Sequence, residues 1–314
     1  MKTHRKVLNV AVMLVLASAA TLAGCAGRQG GGEKTEGPPA VVSGVYEDAH
    51  STQPVDQPAV KGPETPETPQ VQSPQVPRAK LGAPPAEAKT HPKGEKVAYL
   101  TFDDGPNSDY TEKILDILRE KKVKATFMVV GRNVNLNPGI FQRILADGHG
   151  VGNHTFSHDY HTLYSSPERF LADLEETNRT LIPYTGKPVM IFRAPGGPQN
   201  LKPPFMSKLQ KSGYISVGWN ITSVDSDPHG VTQSQVYNNI VSGLERVERL
   251  KLTPIILMHD GTQLASTEAR PGTPLAIYIQ NREATISALP AVIDHFKSKG
   301  YTFKIVDEHT PPAW

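Results

Sequence analysis

The stretch Val97-Ala98-Tyr99-Leu100-Thr101-Phe102-Asp103-Asp104-Gly105-Pro106 indicates both the fold and the chemistry of this chain. Its first six residues are mostly apolar or aromatic and predict a buried strand. Two adjacent carboxylates follow, and such a pair repels unless a cation or a shared proton relieves it. We therefore expect a positive group at the end of this strand. A solvated Asp-Gly-Pro turn is the alternative.

Downstream of this strand, short β-rich runs alternate with longer helical patterns. The predicted strands cover 97–102, 125–130, 149–152, 189–192, 214–217, 254–258 and 302–305. The predicted helices cover 111–122, 138–146, 167–181, 202–211, 233–250 and 282–299. This alternation predicts an α/β fold with a parallel sheet: a distorted (β/α) barrel of about seven units in a single catalytic domain, with an open doubly wound sheet as the alternative. In either case functional side chains gather at the carboxyl ends of the strands.

A second polar cluster, Asn153-His154-Thr155-Phe156-Ser157-His158, follows the third predicted strand. Two His residues four apart lie on one face if this turn is helical, and their imidazole nitrogens can then hold a divalent metal. With one carboxylate they form an open site that leaves coordination positions for water and substrate, as catalytic zinc requires. The alternative is a His pair without a metal. His161 is expected to be incidental, although it lies only three residues beyond His158 and is close enough to be considered.

Two more strand ends carry ionisable side chains. The fourth strand ends in Phe192-Arg193-Ala194-Pro195-Gly196-Gly197, and Arg193 is the cation expected beside the paired carboxylates. The sixth ends in Leu257-Met258-His259-Asp260-Gly261, where a nearby carboxylate would raise the pKa of His259 and suit it to proton donation. Asp225 lies in the loop after the fifth strand. Together these strand ends indicate one functional site.

In this order, the motifs at 101–106, 154–158, 193–196 and 257–260 resemble those of the polysaccharide deacetylases, carbohydrate esterase family four, also called the NodB-homology domain. The resemblance covers about residues 95–307. It implies a metal-dependent hydrolase that removes N-acetyl groups from a polysaccharide. By position, Asp104, His154 and His158 match the metal ligands, with Zn²⁺ the usual ion and other divalent ions such as Co²⁺ as alternatives.

The resemblance also implies a role for each remaining motif residue. Asp103 matches the catalytic base that activates the attacking water, and Arg193 matches the residue that keeps this base ionised and oriented. His259 matches the general acid that protonates the leaving amine. Two positions match substrate contacts: the Gly196 backbone N–H, at the oxyanion, and Leu257, at the acetyl pocket. Asp225 matches the residue that lies beside His259 and tunes this acid.

One stretch departs from the family pattern. The family usually has two Asp three apart followed by Trp, and here those positions hold Thr222, Asp225 and Ser226. The groove-lining Trp is therefore missing unless Trp219 substitutes for it. Residues 262–280 form a long insertion after the acid motif, in which Pro271 and Pro274 are expected to break any helix. We expect this insertion to form part of the groove rim. The alternative is a surface loop without a functional role.

The N-terminal third of the chain differs from the rest in composition. Residues 1–24 combine Lys2, Arg5 and Lys6 with an apolar run, and this pattern resembles a bacterial lipoprotein signal peptide that is cleaved before Cys25. Acylation of Cys25 would tether the protein to the outer side of the cell membrane; an uncleaved membrane helix is the alternative. Residues 25–94 predict an extended, Pro-rich tether, because 12 of the chain's 28 Pro and one aromatic residue lie in 26–94. The catalytic domain is expected to cover residues 95–314.

Overall composition excludes several classes of function. The 314 residues carry a formal charge of +2, which gives no electrostatic footprint for nucleic acid, and one Cys cannot form an internal disulfide or a thiolate cluster. We expect a monomer that acts on an N-acetylated glycan polymer, with peptidoglycan N-acetylglucosamine as the first choice and chitin oligomers or exported poly-N-acetylglucosamine as alternatives. A wall-binding lipoprotein without turnover is a hypothesis from another class. A metal-free glycosidase fits less well, since it leaves His154 and His158 without a role.

Overall fold

The computed structural model describes residues 94–261, 270 and 272–313. The predicted signal peptide (1–24), the lipidated Cys25 and all of the predicted tether except Gly94 lie outside these residues. Part of the predicted insertion, 262–269 and 271, also lies outside them. No helix in the described ranges is long and apolar enough to cross a membrane.

Strands and helices alternate along the chain. The strands are β1 (Lys96–Asp103), β2 (Thr126–Val129), β3 (Gly150–Asn153), β4 (Ile191–Phe192), β5 (Ile215–Ser216), β6 (Ile221–Thr222), β7 (Ile255–His259) and β8 (Tyr301–Phe303). The helices are α1 (Thr111–Glu120), α2 (Gly131–Leu136), α3 (Pro138–Ala146), α4 (Tyr160–Leu163), α5 (Pro167–Thr185), α6 (Pro203–Lys211), α7 (Gln233–Arg249) and α8 (Pro274–Ser298). A short 3₁₀ turn, Pro198–Asn200, precedes α6.

All strand pairs are parallel, in the order β5-β4-β3-β2-β1-β7-β6, and β8 pairs with the first half of β1. This half-barrel confirms the predicted distorted (β/α) barrel in a single α/β domain. Within the described residues no ladder joins β5 to β6, so the curved sheet stays open there. Since the strands are parallel, their carboxyl ends meet at one edge.

Helices cover the outer face of the sheet with apolar stripes. In α1 the predicted face of Ile114, Leu115 and Leu118 is fully buried. In α7, Val236, Ile240 and Leu244 repeat at intervals of four and are also fully buried. These stripes pack against β1 residues such as Phe102 in the main core. The packing fixes the positions of the strand ends that carry the polar motifs.

Several elements differ from the sequence predictions. β6 was expected as loop because a two-residue strand carries no periodic signal; it is defined by its ladder to β7. The short helices α2 and α4 were also not predicted. The expectation that Pro274 breaks a helix is wrong: Pro274 occupies the first turn of α8, where its missing N–H costs nothing, and the Thr273 hydroxyl caps the helix by accepting from the Ala276 N–H.

Candidate functional site

A cavity of about 460 Å³ opens at the carboxyl ends of the strands. Eight of the predicted site residues line it: Asp103, Asp104, His154, His158, Gly196, Trp219, Leu257 and His259. Arg193 and Asp225 lie behind this lining, fully buried, and each contacts one of these residues. The sheet therefore brings together all predicted site residues that fall in the described ranges. Cys25 lies outside them.

Asp104, His154 and His158 form the group of donors suited to a metal. The Nε2 atoms of His154 and His158 lie 3.4 Å and 3.3 Å from Asp104 Oδ1, and the three donor atoms lie within 4.8 Å of one another. Two ligands bound at about 2.1 Å to a tetrahedral ion are about 3.4 Å apart, so these spacings fit a divalent cation. His161 is exposed on α4 and is not a member of the group.

The backbone around these donors is not helical, although a helical turn was the condition under which His154 and His158 were expected to lie on one face. Asp104, Thr155 and His158 have φ angles of 81°, 68° and 54°, in the left-handed region that non-glycine residues rarely adopt. The turn at Asp104 also changes the directions of the two neighbouring carboxylates. An extended strand would point them apart, yet His154 Nε2 is 3.7 Å from Asp103 Oδ2 and 3.4 Å from Asp104 Oδ1. Backbone strain of this kind clusters at functional sites.

Neighbouring side chains hold the turn at Asp104 in place. Asn133 donates to the Asp104 carbonyl at 2.6 Å. The buried Asp260 accepts from the Gly105 N–H at 3.0 Å and from the Thr111 hydroxyl at 2.6 Å. A Cβ at Gly105 would overlap the Asp260 carboxylate, so this position requires glycine. Asp260 was part of a sequence motif, but its role as a support for this turn depends on a contact 155 residues away.

The His loop is held in a similar way from β3 and α5. Asn153 at the end of β3 accepts from the Thr155 N–H at 2.9 Å, and Asp173 accepts from the backbone N–H groups of Phe156 and Ser157. The His154 Nδ1 lies 2.8 Å from the Arg193 carbonyl, which can only accept. This contact places the proton on Nδ1 and leaves Nε2 to face the Asp104 carboxylate.

Electrostatics at the donors favour a cation. Burial lowers the pKa of His158 to about 4, so its ring is neutral and offers a lone pair. Burial also opposes protonation of His154, but Asp103 and Asp104 outweigh it and raise its pKa, so a metal ion competes with a proton for this ring. Burial alone would raise the pKa of Asp104, yet the contacts with the two imidazoles hold it well below its ordinary value. Asp104 is therefore ionised.

Asp103 and Arg193 form a buried ion pair beside the donors. Arg193 Nη1 donates to Asp103 Oδ1 at 2.7 Å and to the Thr101 hydroxyl at 2.8 Å. Its other nitrogens donate to the carbonyls of Val217 and Gly218 at 3.3 Å and 3.0 Å. The guanidinium is thus fixed on three sides. It holds one Asp103 oxygen and leaves Oδ2 on the side of His154.

His259 and Asp225 form a second coupled pair, at the end of β7. His259 Nδ1 lies 2.7 Å from Asp225 Oδ1, and the His259 backbone N–H donates to Asp225 Oδ2 at 3.0 Å. Burial works against a charged imidazole, but the Asp225 carboxylate outweighs it and raises the pKa of His259. Burial would raise the pKa of Asp225, and the His259 ring holds it well below its ordinary range. With Nδ1 engaged, Nε2 is the ring nitrogen left for proton transfer.

The predicted substrate-side residues line the same cavity. Trp219 lies with its ring 5.5 Å from the Arg193 guanidinium and against Gly197, where a Cβ would meet the indole at 2.7 Å. Gly196 has a φ of 71° and packs against Tyr160. Leu257 is 7% exposed and lines the cavity. Ser226 also lines it, at the position where the family has Trp.

Three residues of the cavity wall are not predicted from the sequence. Tyr160 lies two residues after His158, and Tyr278 and Arg282 come from the first half of α8. Tyr278 belongs to the insertion expected at the groove rim, and its place in the wall agrees with that expectation. One signal was available for Arg282: with Thr285 three residues on, it puts polar residues on the buried face of a helix that is otherwise apolar there.

Comparisons with known proteins identify the family to which this chain is similar. The sequence model of a family described as polysaccharide deacetylase matches residues 90–214. A peptidoglycan-N-acetylglucosamine deacetylase of Bacillus cereus is 30% identical over 217 residues, which cover 69% of this chain and 89% of that protein. The chain belongs to the polysaccharide deacetylase family. As a polysaccharide deacetylase it is a hydrolase, and the predicted enzyme class is confirmed.

Two further relatives illustrate the range of this family. A chitooligosaccharide deacetylase of Rhizobium leguminosarum is 32% identical over 210 residues, which cover 67% of this polysaccharide deacetylase and 90% of the relative. The solved catalytic domain of a peptidoglycan N-acetylglucosamine deacetylase from Eubacterium rectale is 29% identical with a TM-score of 0.58, over 73% of this chain and 96% of that one. These relatives act on N-acetylated glycans of different kinds.

Proposed function

We propose that this polysaccharide deacetylase is a zinc-dependent enzyme that hydrolyses the N-acetyl groups of peptidoglycan N-acetylglucosamine outside the cell membrane. The observation that carries the proposal is the convergence of three units on one cavity. These units are the donor group of Asp104 and two imidazoles, the Asp103 carboxylate held by Arg193, and the His259 ring held by Asp225. Amide hydrolysis needs a group that polarises the carbonyl, a general base and a general acid around the same amide bond.

The donor group supports zinc as the ion. Two imidazoles and one carboxylate are the ligands of open catalytic zinc sites, and the distances of 3.3 Å and 3.4 Å from Asp104 Oδ1 to the two imidazole nitrogens match tetrahedral geometry. A divalent ion held by Asp104, His154 and His158 would supply Lewis-acid polarisation of the acetyl carbonyl and lower the pKa of a water molecule. Cobalt, which accepts the same donors, is the second candidate.

Asp103 is proposed as the general base. Arg193 holds Oδ1 of the carboxylate, and Oδ2 lies on the donor side, 3.7 Å from His154 Nε2. The carboxylate is therefore oriented to take a proton from the attacking water as the carbon–oxygen bond forms. The fixed guanidinium keeps the carboxylate from turning toward the cavity mouth.

His259 is proposed as the general acid. Its Nδ1 is held by Asp225, so Nε2 delivers the proton to the leaving amine when the carbon–nitrogen bond breaks. The Asp225 carboxylate raises the pKa of this ring, which favours the protonated form that can donate. Leu257 and the Gly196 backbone N–H are proposed to contact the acetyl methyl and the developing oxyanion, and Trp219 is proposed to stack on a sugar ring at the mouth.

Peptidoglycan is proposed as the substrate because of the relatives and the N-terminal sequence. The Bacillus cereus and Eubacterium rectale relatives are named for peptidoglycan N-acetylglucosamine. A lipid on Cys25 and a Pro-rich tether would keep the domain within reach of the wall. Chitin oligomers are the second candidate, favoured by the Rhizobium leguminosarum relative.

Acetate release by the full-length chain tests the proposal. We expect release from peptidoglycan to exceed release from chitopentaose, to stop on chelation, and to return on addition of Zn²⁺. Asp103→Asn should abolish turnover while glycan binding persists. Higher release from chitopentaose would overturn the peptidoglycan assignment, and glycan binding without release by the metal-loaded wild type would favour the binding-protein hypothesis.

Fractionation tests the location separately. The wild type should sediment with membranes and appear in the detergent phase, and Cys25→Ser should remove the acylation site. If Cys25→Ser remains in the detergent phase, an uncleaved N-terminal helix, rather than a lipid, holds the protein at the membrane.

A further inference from the structure

Helix α8 buries three polar side chains in its first half. Asn281, Arg282 and Thr285 are at most 2% exposed, although the other residues on this face, such as Leu289 and Ile293, are apolar. Burying polar groups, and a guanidinium above all, costs free energy unless each group is hydrogen-bonded. Their partners therefore indicate what this part of the helix is built to hold.

All three side chains bind the loop that carries Asp225. Asn281 accepts from the Val231 N–H at 2.8 Å and donates to the Asp227 carbonyl at 2.9 Å. Thr285 donates to Asp225 Oδ2 at 2.8 Å, and Arg282 Nη1 donates to the Asp225 carbonyl at 2.9 Å. The Asp225 side chain and backbone are thus fixed from the same helix.

Arg282 also holds the segment that carries the acid. Its Nε donates to the carbonyl of Gly261, two residues after His259, at 2.6 Å. One planar guanidinium therefore bridges the two segments on which Asp225 and His259 lie, and it sets their separation. The same group lies 3.9 Å from Asp225 Oδ2 and from Asp104 Oδ2, so its charge compensates both buried carboxylates.

We propose that Arg282 is a positioning residue for the reaction. Its hydrogen bonds hold the Asp225 loop next to Gly261, so that the Asp225 carboxylate contacts His259. Thr285 fixes the rotamer of this carboxylate. The inference rests on the proposed function for its kinetic tests and on geometry alone for its spectroscopic test. It accounts for a buried Arg and a buried Thr on a helix face that is otherwise largely apolar, which the base and metal positions leave unexplained.

The first test separates acid positioning from general damage by changing the leaving group. An amine must be protonated as it leaves, whereas a nitrophenolate leaves without an acid. We expect Arg282→Met to lower kcat for glycan deacetylation by about 10–100-fold with KM within about twofold, and to lower hydrolysis of 4-nitrophenyl acetate by less than about threefold. Arg282→Lys keeps the charge but places all its donors on one nitrogen instead of the planar fork that reaches both carbonyls, and it should not restore kcat. Equal losses on both substrates would overturn the proposal.

A double-mutant cycle tests whether Arg282 acts through Asp225. In an Asp225→Asn background the acid is already uncoupled, so Arg282→Met should cause little further loss in kcat. Fully multiplicative losses would show independent roles and would contradict the proposal. Glu283→Gln, on the exposed side of the same helix, is the matched control and should match the wild type in every assay.

Proton NMR tests the geometry without turnover. The His259 Nδ1 proton, 2.7 Å from a carboxylate oxygen across a buried contact, should resonate far downfield in the wild type and disappear in His259→Gln. Arg282→Met should shift or broaden this resonance, and Glu283→Gln should not. If the wild type releases no acetate from any glycan, the proposed function fails, and this spectrum still decides on Arg282: an unchanged resonance in Arg282→Met overturns its positioning role.

Discussion

Replacing Arg193 with Met should destabilise the domain by about 3–5 kcal/mol, because it leaves a buried carboxylate without its cation. The guanidinium is fully buried and donates to Asp103, to the Thr101 hydroxyl and to two backbone carbonyls. Met fills much of the same volume, so the loss comes from the unpaired polar groups and not from a cavity. Asp103 is only 3% exposed, so water cannot replace the lost contacts.

Calorimetry in the presence of a chelator measures this effect without a contribution from bound metal. A domain of 150–250 residues loses about 2–4 °C in Tm for each kcal/mol, so Tm should fall by roughly 6–20 °C. The double variant Asp103→Asn/Arg193→Met should be more stable than the sum of the single losses predicts, by about 1–3 kcal/mol, since it no longer buries an unpaired charge. A Tm within 3 °C of the wild type for Arg193→Met, or strict additivity in the double variant, would refute this reasoning.

Three further predictions concern catalysis, metal and substrate. Asp225→Asn should lower kcat by about 10²–10⁴-fold and move the alkaline limb of the pH profile to lower pH, because the carboxylate that raises the pKa of His259 is gone; an unmoved limb in pH-dependent kinetics would contradict the pairing. Adding Zn²⁺ at about 1,000 times its Kd to the chelated protein should stabilise it by about 4 kcal/mol, and His158→Ala should abolish most of this gain in thermal unfolding. Trp219→Ala should raise KM for chitopentaose by about fivefold or more through lost stacking, whereas Tyr184→Ala, outside the cavity, should leave KM unchanged; equal KM values for the two variants would argue against stacking at Trp219.

The sequence was sufficient to predict the fold class and the group of residues at the cavity. Alternation of strands and helices dictates a parallel sheet, and a parallel sheet brings every strand end to one edge. Residues as far apart as Asp103 and His259 could therefore be placed together without knowledge of their distance, and they are direct ladder partners in the structure. Residue spacing and strand order were enough to place these residues together, because both can be inferred from the amino-acid sequence.

Other parts of the site were not predictable because they depend on contacts between distant segments. The strand β6 has two residues, and its ladder to β7 defines it more than its own sequence does. The start of α8 was misplaced because Pro274 was read as a helix breaker and not as a first-turn residue. Arg282 was missed for a related reason: a polar residue on a buried helix face gains meaning only when its partners, here Asp225 and Gly261, are known.

Charge compensation explains why this cavity keeps so many buried acids. An arginine lies beside each of the two functional pairs. Arg193 forms an ion pair with Asp103 at 2.7 Å. The Arg282 guanidinium lies beside the Asp225 backbone, 3.9 Å from the Asp225 carboxylate, and the His259 ring contacts the same carboxylate. A cation and several hydrogen-bond donors therefore offset the cost of burying each of these carboxylates.

The two remaining acids are treated differently. Burial raises the pKa of Asp260 to about 7, and this group serves the backbone turn through its hydrogen bonds from Thr111 and Gly105. Asp104 stays ionised, yet its nearest partners, at 3.3 Å and 3.4 Å, are the rings of His158 and His154. Asp104 shares the Arg282 guanidinium with Asp225, since both carboxylates lie 3.9 Å from it, and the two imidazoles beside Asp104 complete the donor group that would bind a divalent metal.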